Sequence, residues 1–155
     1  MKNIVQIVGV IALLVAFSGS AWAQERGTRA EAQVLVESAV EHIQKVGIDK
    51  ASEDFTKDKS RWSRKDLYVF SSDMTGVARG HGVNEKLVGK NLLALKDQTG
   101  KEYVREFVKV AQSAKGEGWV DYEWSSPTTK QVEGKTSFIK RVPGTDFWVG
   151  VGVYR

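Results

Sequence analysis

The residues best suited to chemistry lie at the end of the chain and in one glycine-rich run near its middle. In the closing stretch, Phe147, Val149, Val151 and Val153 alternate with Trp148, Gly150, Gly152 and Tyr154. A period of two marks a strand with two unlike faces. The first set is an unbroken apolar row that belongs in a core. In the second, two glycines between two aromatics remove bulk from the middle of a face, so that something can approach the sheet. A small molecule is one candidate; a closely packed helix or a bulge fits the same pattern equally well. Aromatic walls with a few polar anchors are what a small-molecule site needs.

Four anchors stand in nearby segments. Arg79 and His81 sit in the run Arg79-Gly80-His81-Gly82, whose glycines let backbone amides come close to a ligand. Lys135 and Ser137 share one side of a later strand, with Phe138 and Lys140 on the other. A partly desolvated cation holds a carboxylate through charge-assisted hydrogen bonds, although any one Lys or Arg more often belongs to solvated surface. Enzyme readings find little support. No Gly-x-Ser-x-Gly elbow occurs, neither His42 nor His81 has triad spacing, and Arg79-Gly80-His81-Gly82 lacks the Gly-Lys-Ser/Thr of a phosphate loop. Asp121 and Glu123 share a strand face, the pattern of a solvated row.

The elements that must position these residues read as α+β. Thr28 and Glu31 form a capping box, and Ala32, Leu35, Val36, Ala39, Ile43 and Val46 recur at helical spacing up to Gly47. A shorter helix runs from Asp49 through Phe55 and fades in the charged stretch before Trp62. Leu67 to Ser72 and Val77 to Arg79 form a hairpin around Asp73-Met74-Thr75-Gly76. Short helical pieces are expected over 84–95, the first capped by Asn84. A second capping box, Thr99 with Glu102, opens a helix over Lys101–Ala114. Strands follow over 119–124, 135–142 and 147–154. In the first, Val120, Tyr122 and Trp124 face one way and Trp119, Asp121 and Glu123 the other. Short connections imply an antiparallel sheet of about five strands backed by the long N-terminal helix.

Residues 1–23 stand apart. Lys2, the apolar stretch Ile4 to Phe17 and Ala21-Trp22-Ala23 make a signal peptide cleaved after Ala23; an uncleaved anchor is the rival reading. The remainder, 24–155, is one exported domain, with helices over 28–58 and the sheet over 66–155. Cleavage of 1–23 takes Lys2 and no acid, leaving 132 residues of net charge +3. So mild an excess calls for no nucleic-acid partner. The chain has no cysteine, which excludes thiol catalysis, thiolate metal sites and Cys-attached haem, and two histidines make a metal centre improbable. No cofactor is expected.

The stretches Leu67–Gly76, Leu87–Leu92 after His81, Asp97–Lys101, Gly118–Trp124, Lys135–Lys140 and Trp148–Tyr154 together resemble the single Cache domain, type 2, of bacterial extracytoplasmic sensors. The resemblance implies a PAS-like sheet, a pocket on the face away from the long helix, and recognition of a small metabolite, often a short carboxylate in this family. It assigns His81 and Lys135 as polar pocket residues, and Trp119, Tyr122 and Trp124 as walls, beside the candidate binding residues Tyr68, Arg79 and Ser137. His81-Gly82 stands where the family often has His-Pro, and Phe138 where it often has Tyr. A sequence stopping at Arg155 implies a periplasmic binding or sensing module that signals through a separate membrane receptor or kinase. The alternative is an interaction protein whose pocket is filled by Trp119, Trp124 and Trp148.

Overall fold

The computed structural model describes residues 25–155; the segment 1–23, read above as a signal peptide, lies outside the described residues. Three helices open the chain: α1 (Arg29–Val46), α2 (Ile48–Lys57) and α3 (Lys59–Trp62). Strands β1 (Ser63–Arg64), β2 (Leu67–Asp73) and β3 (Ala78–His81) follow, then a 3₁₀ turn at Glu85–Leu87 and helix α4 (Tyr103–Gln112). The long strands β4 (Glu117–Ser125), β5 (Val132–Arg141) and β6 (Phe147–Tyr154) close it.

The sheet is antiparallel, in the order β1-β2-β6-β5-β4, with β3 also paired to β2. The last strand is therefore central, and every residue on it faces a packed layer. Strict alternation along β2, β5 and β6 separates two cores. On one face Val69, Phe138, Val149, Val151 and Val153 meet Val36, Ala39, Val40 and Ile43 of α1, together with Phe55 and Trp62. On the other, Tyr68, Phe70, Ile139, Trp148 and Tyr154 meet Tyr103, Val104 and Phe107 of α4. The sheet is thus a middle layer, not a floor open to water on one side.

The capping box at α1 forms in full: Thr28 accepts from the Glu31 amide, and Glu31 reaches back to the Thr28 amide at 2.8 Å. Thr28→Ala is expected to cost about 1 kcal/mol, read as a lower urea midpoint with an unchanged slope; an unmoved midpoint would show the cap to be dispensable.

Three local expectations are corrected. Thr99 and Glu102 do not cap α4, which starts later, at Tyr103, with no side-chain cap. Thr99 instead turns to Asp97: its amide (2.9 Å) and hydroxyl (2.6 Å) both donate to Oδ1, as does the Lys101 amide. Asn84 makes no side-chain cap; its own amide donates to His81 Nδ1, and its carbonyl accepts from the Leu87 amide. Nor is 91–95 helical. Asn91 bridges to Val77 as an isolated strand contact and accepts from the Leu93 amide, an Asx turn that competes with helix.

Candidate functional site

A cavity of about 40 Å³ lies between β2, β3, β4 and α4 on the face away from α1. One water needs roughly 10–15 Å³ by the same kind of measure, so the space suits a compact molecule of a few non-hydrogen atoms. Its wall is largely aromatic: Tyr68, Phe70, Tyr103, Phe107, Tyr122, Trp124 and Trp148 all border it. Tyr103 stacks on Tyr122 with centroids 4.7 Å apart, and Phe107 meets Trp148 edge-on at 5.5 Å. Leu87 and Leu92 form part of a roof. Backbone bonds staple that roof to the sheet, from Ala78 N to Lys90 O (3.0 Å), Gly89 N to Ala78 O and Leu92 N to Gly76 O (both 2.8 Å). At its far end Asp97 Oδ2 accepts from the Glu123 amide of β4 at 3.1 Å. Burial pushes the Asp97 carboxyl up, but the hydrogen bonds from Thr99, Lys101 and Glu123 outweigh it and hold the group below its ordinary value.

The polar groups are few and specific. His81 lines the cavity, and its Nδ1 accepts from the backbone amides of Asn84 (3.1 Å) and Val83 (3.4 Å). Two incoming N–H donors require a lone pair at Nδ1, so the ring proton sits on Nε2. Among the described residues nothing accepts from Nε2, which leaves one neutral donor at the cavity. Burial chiefly, with the Lys135 and Lys59 amines nearby opposing a second positive charge, lowers the imidazole to about 3. His81 is neutral at physiological pH. Trp148 adds an indole N–H that is buried without a partner among the described residues.

Lys135 lies one layer behind the wall. It is 1% exposed, and its Nζ donates to Tyr68 Oη at 2.7 Å. Tyr68 Oη lies 3.3 Å from Tyr154 Oη, which donates to the Ser125 carbonyl at 2.9 Å. The Nζ stands 4.1 Å from the Tyr68 ring centre, 4.9 Å from that of Tyr154 and 5.4 Å from that of Phe70. Among the described residues no carboxylate comes within ion-pair distance of it. Burial drives the ammonium well below its usual value.

A Cache domain model matches residues 30–155. The chain belongs to the Cache family. A sensor histidine kinase, MctS, of Rhizobium johnstonii is 33% identical over 90 residues, which are 58% of this chain and 19% of the kinase. The chain thus spans about a fifth of that relative. Among solved structures, the periplasmic sensor domain of a chemotaxis protein is 30% identical at a TM-score of 0.66, covering 81% of this chain and 93% of that one. A Cache chemosensory domain described for carboxylic acid recognition shares the fold, with a TM-score of 0.67 and 22% identity over 81% of this chain and 91% of that one. The relatives are sensory domains of chemoreceptors and kinases. Among the described residues no helix is long and apolar enough to cross a membrane.

Of the residues assigned to the Cache pocket from sequence, Tyr68, His81, Tyr122 and Trp124 border one cavity, and Lys135 and Ser137 stand directly behind it. Ser137 is fully buried and lies 3.0 Å from Tyr122 Oη. Arg79 and Trp119 do not join them. Arg79 pairs with Asp49 at 2.7 Å and lies over the Phe147 ring, on the α1 side of the sheet. Trp119 packs on Phe138 on that same side, under Arg29. The strand alternation already set Trp119 opposite Tyr122 and Trp124, so the family carry-over conflicted with the pleat, and the pleat prevails.

The hollow expected over Gly150 and Gly152 is also revised. A Cβ on Gly150 would stand 2.6 Å from Phe70 Cζ, and one on Gly152 2.2 Å from Lys135 Cε. The missing side chains admit the Phe70 ring and the Lys135 stem, and the cavity forms beside them. Phe70, Tyr103, Phe107 and Trp148 were not named as site residues from sequence. The helical spacing of Tyr103, Val104 and Phe107 marks that side of α4 for burial, but not against what.

Proposed function

We propose that this Cache domain is a binding or sensing module for a small carboxylate, acting outside the inner membrane and signalling through a separate membrane receptor or kinase rather than performing chemistry. One observation carries the reading: a buried lysine with no carboxylate partner among the described residues, set against a small aromatic cavity. Such an amine favours an anion that arrives with the ligand. His81 Nε2–H offers a neutral donor, and Phe70, Val104, Phe107 and Leu92 suit a short aliphatic tail. Among the described residues the cavity presents no carboxylate for an ammonium, which favours simple monocarboxylates over amino acids. The carboxylic acid recognition described for a Cache domain of the same fold, and the periplasmic sensor domain at 30% identity, support this choice.

A second reading is favoured by the Phe70 ring and Lys135 stem over the glycines: a protein that keeps the Cache fold and binds partners, not ligands. A thermal-shift screen separates the two. Short monocarboxylates from formate to butyrate, with pyruvate and lactate, are expected to raise the melting temperature, whereas dicarboxylates, amino acids and ureas do not. A flat response across all four classes would leave the interaction reading standing.

A further inference from the structure

The charges around Lys135 determine how an anion can enter, and the inference rests on the carboxylate-binding reading above. Among the described residues no charged side chain lies within ion-pair distance of Nζ; Asp66 favours the ammonium only from further away. Tyr68 comes from β2, Tyr122 from β4 and Tyr154 from β6, with Phe70 between them. Tyr103 of α4 stacks on Tyr122, and burial raises each of these phenols above its ordinary value, so none is ionised. His81, from β3, stacks near Tyr68 with centroids 5.1 Å apart. Asp66, in the β1–β2 turn, lies beyond ion-pair distance and accepts from the Gly27 amide at 2.6 Å. Lys59 donates to backbone carbonyls of Thr56 and Gly82.

A bare anion moved into such surroundings is strongly disfavoured unless a positive charge forms beside it. His81 cannot supply that charge without loss. A second ring proton would have to sit on Nδ1, where the Asn84 and Val83 amides already donate. The tyrosines can only lose protons. The Lys135 amine is the one basic group at the site with a position free for a proton.

We propose that an anionic ligand enters this site together with one proton, which Lys135 takes on its Nζ. The proton comes from solvent, the amine lone pair forms the new N–H bond, and the ligand remains a free carboxylate paired to the resulting ammonium. The site therefore reads the product of anion and proton concentration, and binding weakens as the medium turns alkaline.

The test is calorimetric titration of the whole chain with propionate and with ethanesulfonate at pH 8, each in phosphate and in Tris. Those buffers release protons with very different heats, so the difference between them counts protons. Proton uptake on binding propionate, with affinity falling by up to tenfold per pH unit as the medium turns alkaline, is the expected result. Ethanesulfonate cannot be protonated, so the same uptake with it places the proton on the protein, and its loss in Lys135→Met places it on Lys135. Uptake with propionate alone would put the proton on the ligand and overturn the proposal. Equal heats in both buffers would also overturn it while leaving carboxylate binding intact. No binding of either compound by a folded protein would remove the binding reading itself.

Discussion

Lys135→Met is expected to make the protein more stable and deaf to its ligand at once. The lysine stem crosses Gly152 and ends among the rings of Tyr68, Tyr154 and Phe70. Methionine follows the same path without an amine to desolvate. Aromatic faces and the more distant Asp66 offset part of the cost of burying an amine, but no anion stands within ion-pair distance to offset the rest. Exchanging buried ionisable groups for packed apolar ones is neutral to stabilising by about 1–4 kcal/mol, so the urea midpoint should rise. Tyr68 keeps its contact with Tyr154, so the hydroxyl row survives. Ligand stabilisation, worth about 2.7 kcal/mol at a hundredfold excess over Kd, should vanish in the same variant. A marked loss of stability would mean that Lys135 is a structural strut, and undiminished ligand stabilisation would remove it from the site.

The layers of the fold were legible because period and spacing carry them. The α1 stripe, its capping box and the valine row of β6 state in sequence which faces are apolar, and a central strand needs such a row. Legibility failed where one short polar side chain had a choice of partners. Thr99 and Glu102 have the spacing of a cap, yet Asp97 lies nearer in the chain and offers an acceptor to the hydroxyl and two amides at once. Asn91 likewise serves a turn and a strand bridge, not a helix. Motif spacing cannot rank such competitors, since the winner depends on where the Glu123 amide of β4 arrives.

The neighbourhood of the cavity was legible only in part. The Cache resemblance places His81, Tyr122 and Trp124 at the cavity and Lys135 behind it, and the pleat sets Ser137 on the Lys135 side. The space itself was misjudged. Two glycines announce room, but sequence does not say what takes it, and here the occupants are the Phe70 ring and the Lys135 stem from strands on either side of β6. Arg79 shows the converse: two residues before His81, it would share the His81 face by the pleat, but a bulge in β3 leaves it without a partner on β2, and it reaches the opposite face, where Asp49 pairs with it.

His81 should govern the acid sensitivity of the fold. Its folded-state value is lowered to about 3, against 6.5 for an unperturbed imidazole. Below pH 6.5 the unfolded chain binds a proton that the folded chain refuses until about pH 3. The group's contribution is therefore intact above 6.5 and is lost as pH falls through that window, by about 1.4 kcal/mol per pH unit once inside it. Between pH 7 and pH 4 the loss comes to about 3 kcal/mol. His81→Gln cannot titrate there, and its stability at pH 7 falls because the paired amides of Val83 and Asn84 lose their imidazole acceptor. Urea unfolding of both proteins at pH 7, 5.5 and 4 separates the effects, since the amide penalty is constant with pH and the proton linkage is not. The two stability curves should converge by about 3 kcal/mol towards pH 4. Parallel curves would mean that the buried ring accepts its proton in place, and the neutral tautomer on which the site is built would have to be given up.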